Sequence, residues 1–149
     1  MLPATASTLL HRTHGRLLVF VNNEQVPNDA EWRGYETAFE QLGRAQSSPC
    51  LLVVTAGGTP TPKQRHRIGE LAVAMRVRTA VVSDSLVARS IVTVFSWLNI
   101  EIKAFSTANL PLALEYLDLS SVEREWAFLA VKEMQAQLRI RDAGVRLQR

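Results

Sequence analysis

One cysteine among 149 residues leaves no internal disulfide to form. Its place at the head of CLLVV reads as a small buried hydrophobe, and a reducing cytoplasm is the simplest home for it. No apolar run approaches the roughly 20 residues that cross a bilayer. The opening MLPATASTLLHR has neither a cationic start nor a sustained apolar stretch, so neither a membrane span nor a secretory leader is expected. Glycines number seven and prolines six, with no low-complexity tract, which excludes a collagen-like chain.

A dense stripe of Lys and Arg is missing as well. Net charge is +3, with four basic against five acidic residues over 1–62 and thirteen against nine over 63–149. The excess in the second half suits an anionic partner but falls short of a nucleic-acid footprint, so no nucleic acid is expected. His11, His14 and His66 do not cluster with cysteine or carboxylates at metal-ligand spacing. There is no G-x-S-x-G elbow, Walker loop or G-x-G-x-x-G fingerprint. Ser83, Asp84 and Ser85 cluster at a strand-to-helix junction, where these residue types act first as caps. No metal, cofactor or catalytic residue is expected.

What is present is enough for one globular domain: 47% hydrophobic and 21% charged residues in a chain long enough to bury a sizeable core. STLLHRTHGRLLVFV predicts a hairpin with strands at about 7–12 and 16–21, turning at His14-Gly15. Asn28 as N-cap with Glu31 in a capping box predicts a helix whose Trp32, Tyr35, Phe39 and Leu42 form one aromatic core face. CLLVVT (50–55) reads as a strand covered on both faces, parallel to the second hairpin strand across a helical crossover. The unit recurs as helix 61–75, strand 78–82, helix 84–98, strand 100–105 and a short helix 107–117. The expected fold is α/β, a mixed sheet opening with an antiparallel hairpin and carrying packed helices. From 119 an amphipathic helix follows, capped by Ser120 or Ser121, with a stripe of Val122, Trp126, Leu129, Ala130, Met134 and Leu138 and a basic end. That helix is expected to cover the domain's own sheet, with homodimerisation through it as the alternative.

The glycines and prolines concentrate in TAGGTPTPKQR (55–65). Gly57 and Gly58 permit a tight exit from the strand and Thr59-Pro60 stiffens it. Thr61 then fits an N-cap, Pro62 the first helical position and Gln64 the closing partner of a capping box. Lys63, Arg65 and Arg67 oppose the dipole of that helix, and Arg65 points toward the sheet edge, where Asp84, Glu101, an anion or a partner's carboxylate would pair with it. A second locus is VVSDSLVARSIVTVFSWL (81–98). Its helix is apolar around much of its circumference, with Ser85, Arg89, Thr93 and Ser96 in one polar line. Cover on more than one side is expected, from the C-terminal helix or from a partner.

These stretches, with IKAFSTANLPLALEYL, resemble the small STAS-like domains of the SpoIIAA-like fold, the bacterial anti-sigma-factor-antagonist architecture, over residues 7–118. The resemblance implies a cytoplasmic, non-enzymatic regulatory or adaptor protein. Its partner protein would dock on loop 56–62 and the helices beginning at Thr61 and Asp84. The expected contact residues are Gly57, Gly58, Thr59, Thr61, Arg65, Asp84, Ser85, Arg89 and Thr93. Kinase-regulated antagonists carry Asp-Ser-Ser/Ala-Gly at the corresponding helix start; TAGGTPTP stands here instead. Thr59 and Thr61 are the nearest hydroxyls, with turn and cap as their ordinary roles and phosphorylation beside Arg65 as a subsidiary reading. The alternative function is a small-anion, nucleotide or lipid-headgroup binder that uses the same helix N-termini.

Overall fold

Strand β1 (Leu9–His14) pairs antiparallel with β2 (Leu17–Asn22) in the computed structural model, which describes residues 7–96 and 100–147. The connection is Gly15-Arg16, since His14 still pairs with Leu17, and Gly15 takes φ 56°. The turn therefore lies one residue later than the sequence pattern suggests, with glycine at the first loop position, where a positive φ is required.

After the hairpin the chain winds in one direction. Strands β3 (Cys50–Thr55), β4 (Arg78–Val82) and β5 (Ile102–Phe105) join β2 in parallel, in the order β1-β2-β3-β4-β5. Each step is crossed by a helix: α1 (Asp29–Ala45), α2 (Pro62–Met75) and α3 (Leu86–Ser96). A sheet that advances by one neighbour at each crossover, with connections of constant hand, sets all three helices on one face. There Leu18, Phe20 and Leu51 of the sheet meet Trp32, Tyr35, Phe39, Leu42 and Leu71 of the helices.

A 3-10 turn (Thr107–Asn109), α4 (Leu110–Tyr116) and α5 (Ser121–Leu147) follow and cover the opposite face. Leu17, Val19, Val21, Cys50, Leu52 and Val54 pack there against Leu110, Leu114 and the inner side of α5. The strands are apolar on both faces because each face has its own helical layer. The terminal helix thus packs on the domain's own sheet, but its buried side is rotated from the expected stripe. Ala127, Ala130, Val131, Met134 and Leu138 are buried, while Val122 and Leu129 are 69% and 53% exposed. Small residues at 127 and 130 admit the close approach to the strands, so the larger leucine and valine turn outward. Arg16 binds the Asp118 carbonyl and Glu123, and His14 stacks on Trp126 at 4.8 Å, fixing α5 to the hairpin.

Two further details depart from the sequence reading. Asn28 does cap α1, accepting from the Ala30 and Glu31 amides, but Glu31 does not close a capping box. Its carboxylate accepts from both the amide and the hydroxyl of Thr8, and Thr8 Oγ1 accepts from the Asn28 amide. A partner distant in the chain thereby satisfies the donor that a local box would have used. The helix after β4 begins at Leu86, two residues later than the pattern suggests.

Candidate functional site

The carboxyl ends of β2, β3 and β4 form one rim, the usual location of ligands on an open parallel sheet. Thr55 ends β3, and the chain leaves it through two glycines that serve different purposes. Gly57 sits at φ 123°, a conformation that side chains disfavour, and a Cβ added there would lie 3.9 Å from the Ser85 Cβ. Gly58 is buried: its amide donates to the Asn23 carbonyl at 2.9 Å and its carbonyl accepts from Asn22 Nδ2 at 2.9 Å. A Cβ at 58 would fall on the carbonyl oxygens of Gln25 and Asn23.

Thr59 donates its hydroxyl to the Gly57 carbonyl, and Thr61 Oγ1 accepts the Gln64 amide while Gln64 Oε1 accepts the Thr61 amide. The expected capping box of α2 is present, with Pro62 at the first helical position. Gln64 also has a wider role. It is 4% exposed, and its Nε2 donates to the Pro27 carbonyl and to Asp29 Oδ1, tying the start of α2 to the start of α1. Asp29 thus brings a carboxylate to the end of α2 that carries Lys63, Arg65 and Arg67, offsetting the cation-dipole conflict.

Arg65 is half-buried and donates from Nη1 to the Pro60 carbonyl at 2.8 Å. Neither carboxylate considered from the sequence reaches it. Asp84 accepts the Thr107 amide at 2.9 Å, a bond that holds its pKa below the ordinary value, and Glu101 pairs with Arg78 at 2.8 Å. Ser83 Oγ accepts the Ser85 amide, and the Ser85 carbonyl accepts the Arg89 amide. Arg89 and Thr93 are exposed on α3, Thr93 one turn further from the rim, and the side chain of Ser96 lies outside the described residues.

The structure brings Gly57 and Ser85 together, and with them the loop and the first turn of α3. Arg65, however, belongs to a different environment from Arg89. With Asn22, Thr59 and Pro60 it lines a cavity of about 130 Å³ between the sheet and the three helices. Apart from Thr55 and Thr79 the rest of that lining is mainly apolar and includes Phe20, Trp32, Tyr35, Val53, Ile68 and Val92. Sequence reading missed Asn22, Trp32 and this cavity. The available signal was the alternation Leu18, Phe20, Asn22, which places an amide on the core face of an otherwise apolar strand.

At the rim, the most prominent surface feature is apolar. Leu86 is 78% and Val87 57% exposed, in the first turn of α3 and directly after Ser85. The terminal helix does not provide the cover expected for them, because it packs on the far face of the sheet. Few amides remain for an anion at the start of α2: Pro62 has none, and those of Gln64 and Arg65 are taken by Thr61. Among the described residues no three His, Cys, Asp or Glu side chains are grouped to hold a metal ion. No described helix is long and apolar enough to cross a membrane. Comparison with family models, curated proteins and solved structures gave no match.

Proposed function

We propose that this protein is a non-enzymatic regulatory or adaptor domain that binds a partner protein at the rim, through loop 56–61 and the first turns of α2 and α3. The observation that carries the reading is the exposure of Leu86 and Val87 beside Arg89, on a helix start whose preceding Ser85 lies next to Gly57. Adjacent large aliphatic side chains held out from a helix start are costly in water and gain by covering. Exposed Lys63, Arg67 and Arg89 on the same two helices favour a partner with acidic residues around an apolar centre. A mixed sheet that opens with an antiparallel hairpin and carries packed helices is compatible with the STAS-like resemblance, and we read the regulatory role in that light. The anion-binding alternative is weaker, because the amides that would cradle a phosphate at α2 are already used by its cap. Catalysis has little to draw on, since Ser83 Oγ and Asp84 Oδ1 each accept a backbone amide as caps and turns do.

Affinity capture from native lysate tests the assignment. One stoichiometric protein is expected on the unaltered chain, lost with Leu86→Glu and with Arg89→Glu while the circular dichroism spectrum is unchanged. Capture that survives both substitutions would reject this surface.

A further inference from the structure

Two buried side-chain polar atoms lack a hydrogen-bond partner among the described residues, Asn22 Oδ1 and Trp32 Nε1. Each residue is 4% exposed, and both line the cavity beneath the rim. The amide of Asn22 cannot simply turn over, because its Nδ2 is held by the Gly58 carbonyl at 2.9 Å. Two residues that line one cavity, otherwise almost wholly apolar, are therefore left with an unmet acceptor and an unmet donor, where such groups are most costly. Packing alone accounts for an apolar void, but not for an unmet acceptor on its sheet side and an unmet donor on its α1 side.

Size and chemistry then restrict the occupant. At about 130 Å³ the space is close to that of apolar protein cavities, roughly 150 Å³, that accept a single benzene ring. Phe20, Trp32 and Tyr35 supply aromatic edges and faces to such a ring; Phe20 and Trp32 already meet edge-on at 5.8 Å. A hydroxyl on the ring offers the donor that Asn22 needs and the acceptor that Trp32 needs. The half-exposed Thr59, Pro60 and Arg65 carry the lining to the surface, and no carboxylate of the described residues pairs with Arg65. We propose that this cavity binds a small hydroxylated aromatic acid, with the hydroxyl toward Asn22 and Trp32, the ring in the apolar space and the carboxylate at Arg65. This goes beyond the docking role of the rim and does not depend on it.

The test is titration of the ¹⁵N-labelled chain with 4-hydroxybenzoate, phenol and benzoate, following the indole N–H resonance of Trp32, identified by its absence in Trp32→Phe. A saturable shift is expected with 4-hydroxybenzoate, and roughly ten-fold weaker binding for each analogue that lacks one polar group. Arg65→Gln should abolish the advantage of 4-hydroxybenzoate over phenol while leaving phenol binding unchanged. Ala72→Leu and Thr79→Leu, which fill the space from α2 and from β4, should each abolish the shift in a folded protein. Two variants on different elements guard against one failing to fold. No saturable shift at millimolar ligand, or an equal shift in a folded filled variant, would show that the cavity holds water only and overturn the proposal. Equal affinity for benzoate and 4-hydroxybenzoate would overturn the role of Asn22 and Trp32. Every step uses purified protein and no partner, so failure of protein capture and failure of this site are separate results.

Discussion

Gly58 shows how a residue that looks like loop punctuation can be fixed by contact rather than by dihedral freedom. Its neighbour Gly57 is in the left-handed half of the map; Gly58 instead lies against the backbone that leaves β2. Gly58→Ala must push the loop away from Asn23 and Gln25, whose carbonyls cannot yield as a flexible side chain would. A loss of about 1–3 kcal/mol is expected, read from urea unfolding, together with a changed Trp32 environment as the Asn22–Gly58 bond breaks. His11 makes a second residue-scale case. Half-buried on β1 near Tyr35, it has a pKa held below its ordinary 6.5 by loss of hydration. The unfolded chain therefore takes up a proton before the folded one does. Stability at this site is full above pH 6.5 and is lost as the pH falls through the lowered folded value. Urea midpoints measured on either side of pH 6.5 should fall with acidification, and His11→Gln should lessen that fall.

Among the elements, α2 illustrates the difference between a local signal and its tertiary use. The Thr61, Pro62 and Gln64 pattern announces the helix start correctly, and Thr61→Ala should cost about 1 kcal/mol as a lost cap. Gln64→Ala should cost more, about 2–3 kcal/mol, since it also strands the Pro27 carbonyl and unlinks α1 from α2. Comparing the two variants by thermal unfolding separates cap from tie; equal losses would mean that the link to α1 contributes nothing. The long helix α5 makes the complementary point. Its existence and cap are legible in SSVEREW, yet its facing is not. A broad scatter of apolar positions fits more than one stripe, and the small Ala127 and Ala130 were chosen by the space above β1 and β2.

For the molecule as a whole, the sheet is sealed on both sides by helical layers, and Cys50 reports how well. It is 1% exposed in the layer beneath α5, and burial pushes its thiol pKa up to about 11. At pH 8 only roughly one thiol in a thousand would be ionised in the folded state. Labelling by a thiol reagent should therefore require opening of the α5 layer. Its rate should rise with sub-denaturing urea along with the population of open molecules, and fast labelling in native buffer would contradict the packing described.

Most of the architecture could be read from the chain, because each element carries its own period and punctuation. Six apolar residues between Pro49 and Gly57, the aromatic face from Trp32 to Leu42, and the capping box at Thr61 are decided within a few residues, and β3, β4 and the α2 cap lie where the pattern puts them. The longer-range contacts of Asn22, Gln64 and Arg65 could not be interpreted that way. Their partners at Gly58, Pro27 and Pro60, and the cavity that Asn22 and Arg65 share, exist only once separate strands and helices converge. Sequence by itself determined what each segment would become, since hydrophobic period and caps act locally. Tertiary structure alone decided which polar groups stay unmet and which leucines stay in water, because both depend on the space left when the layers close.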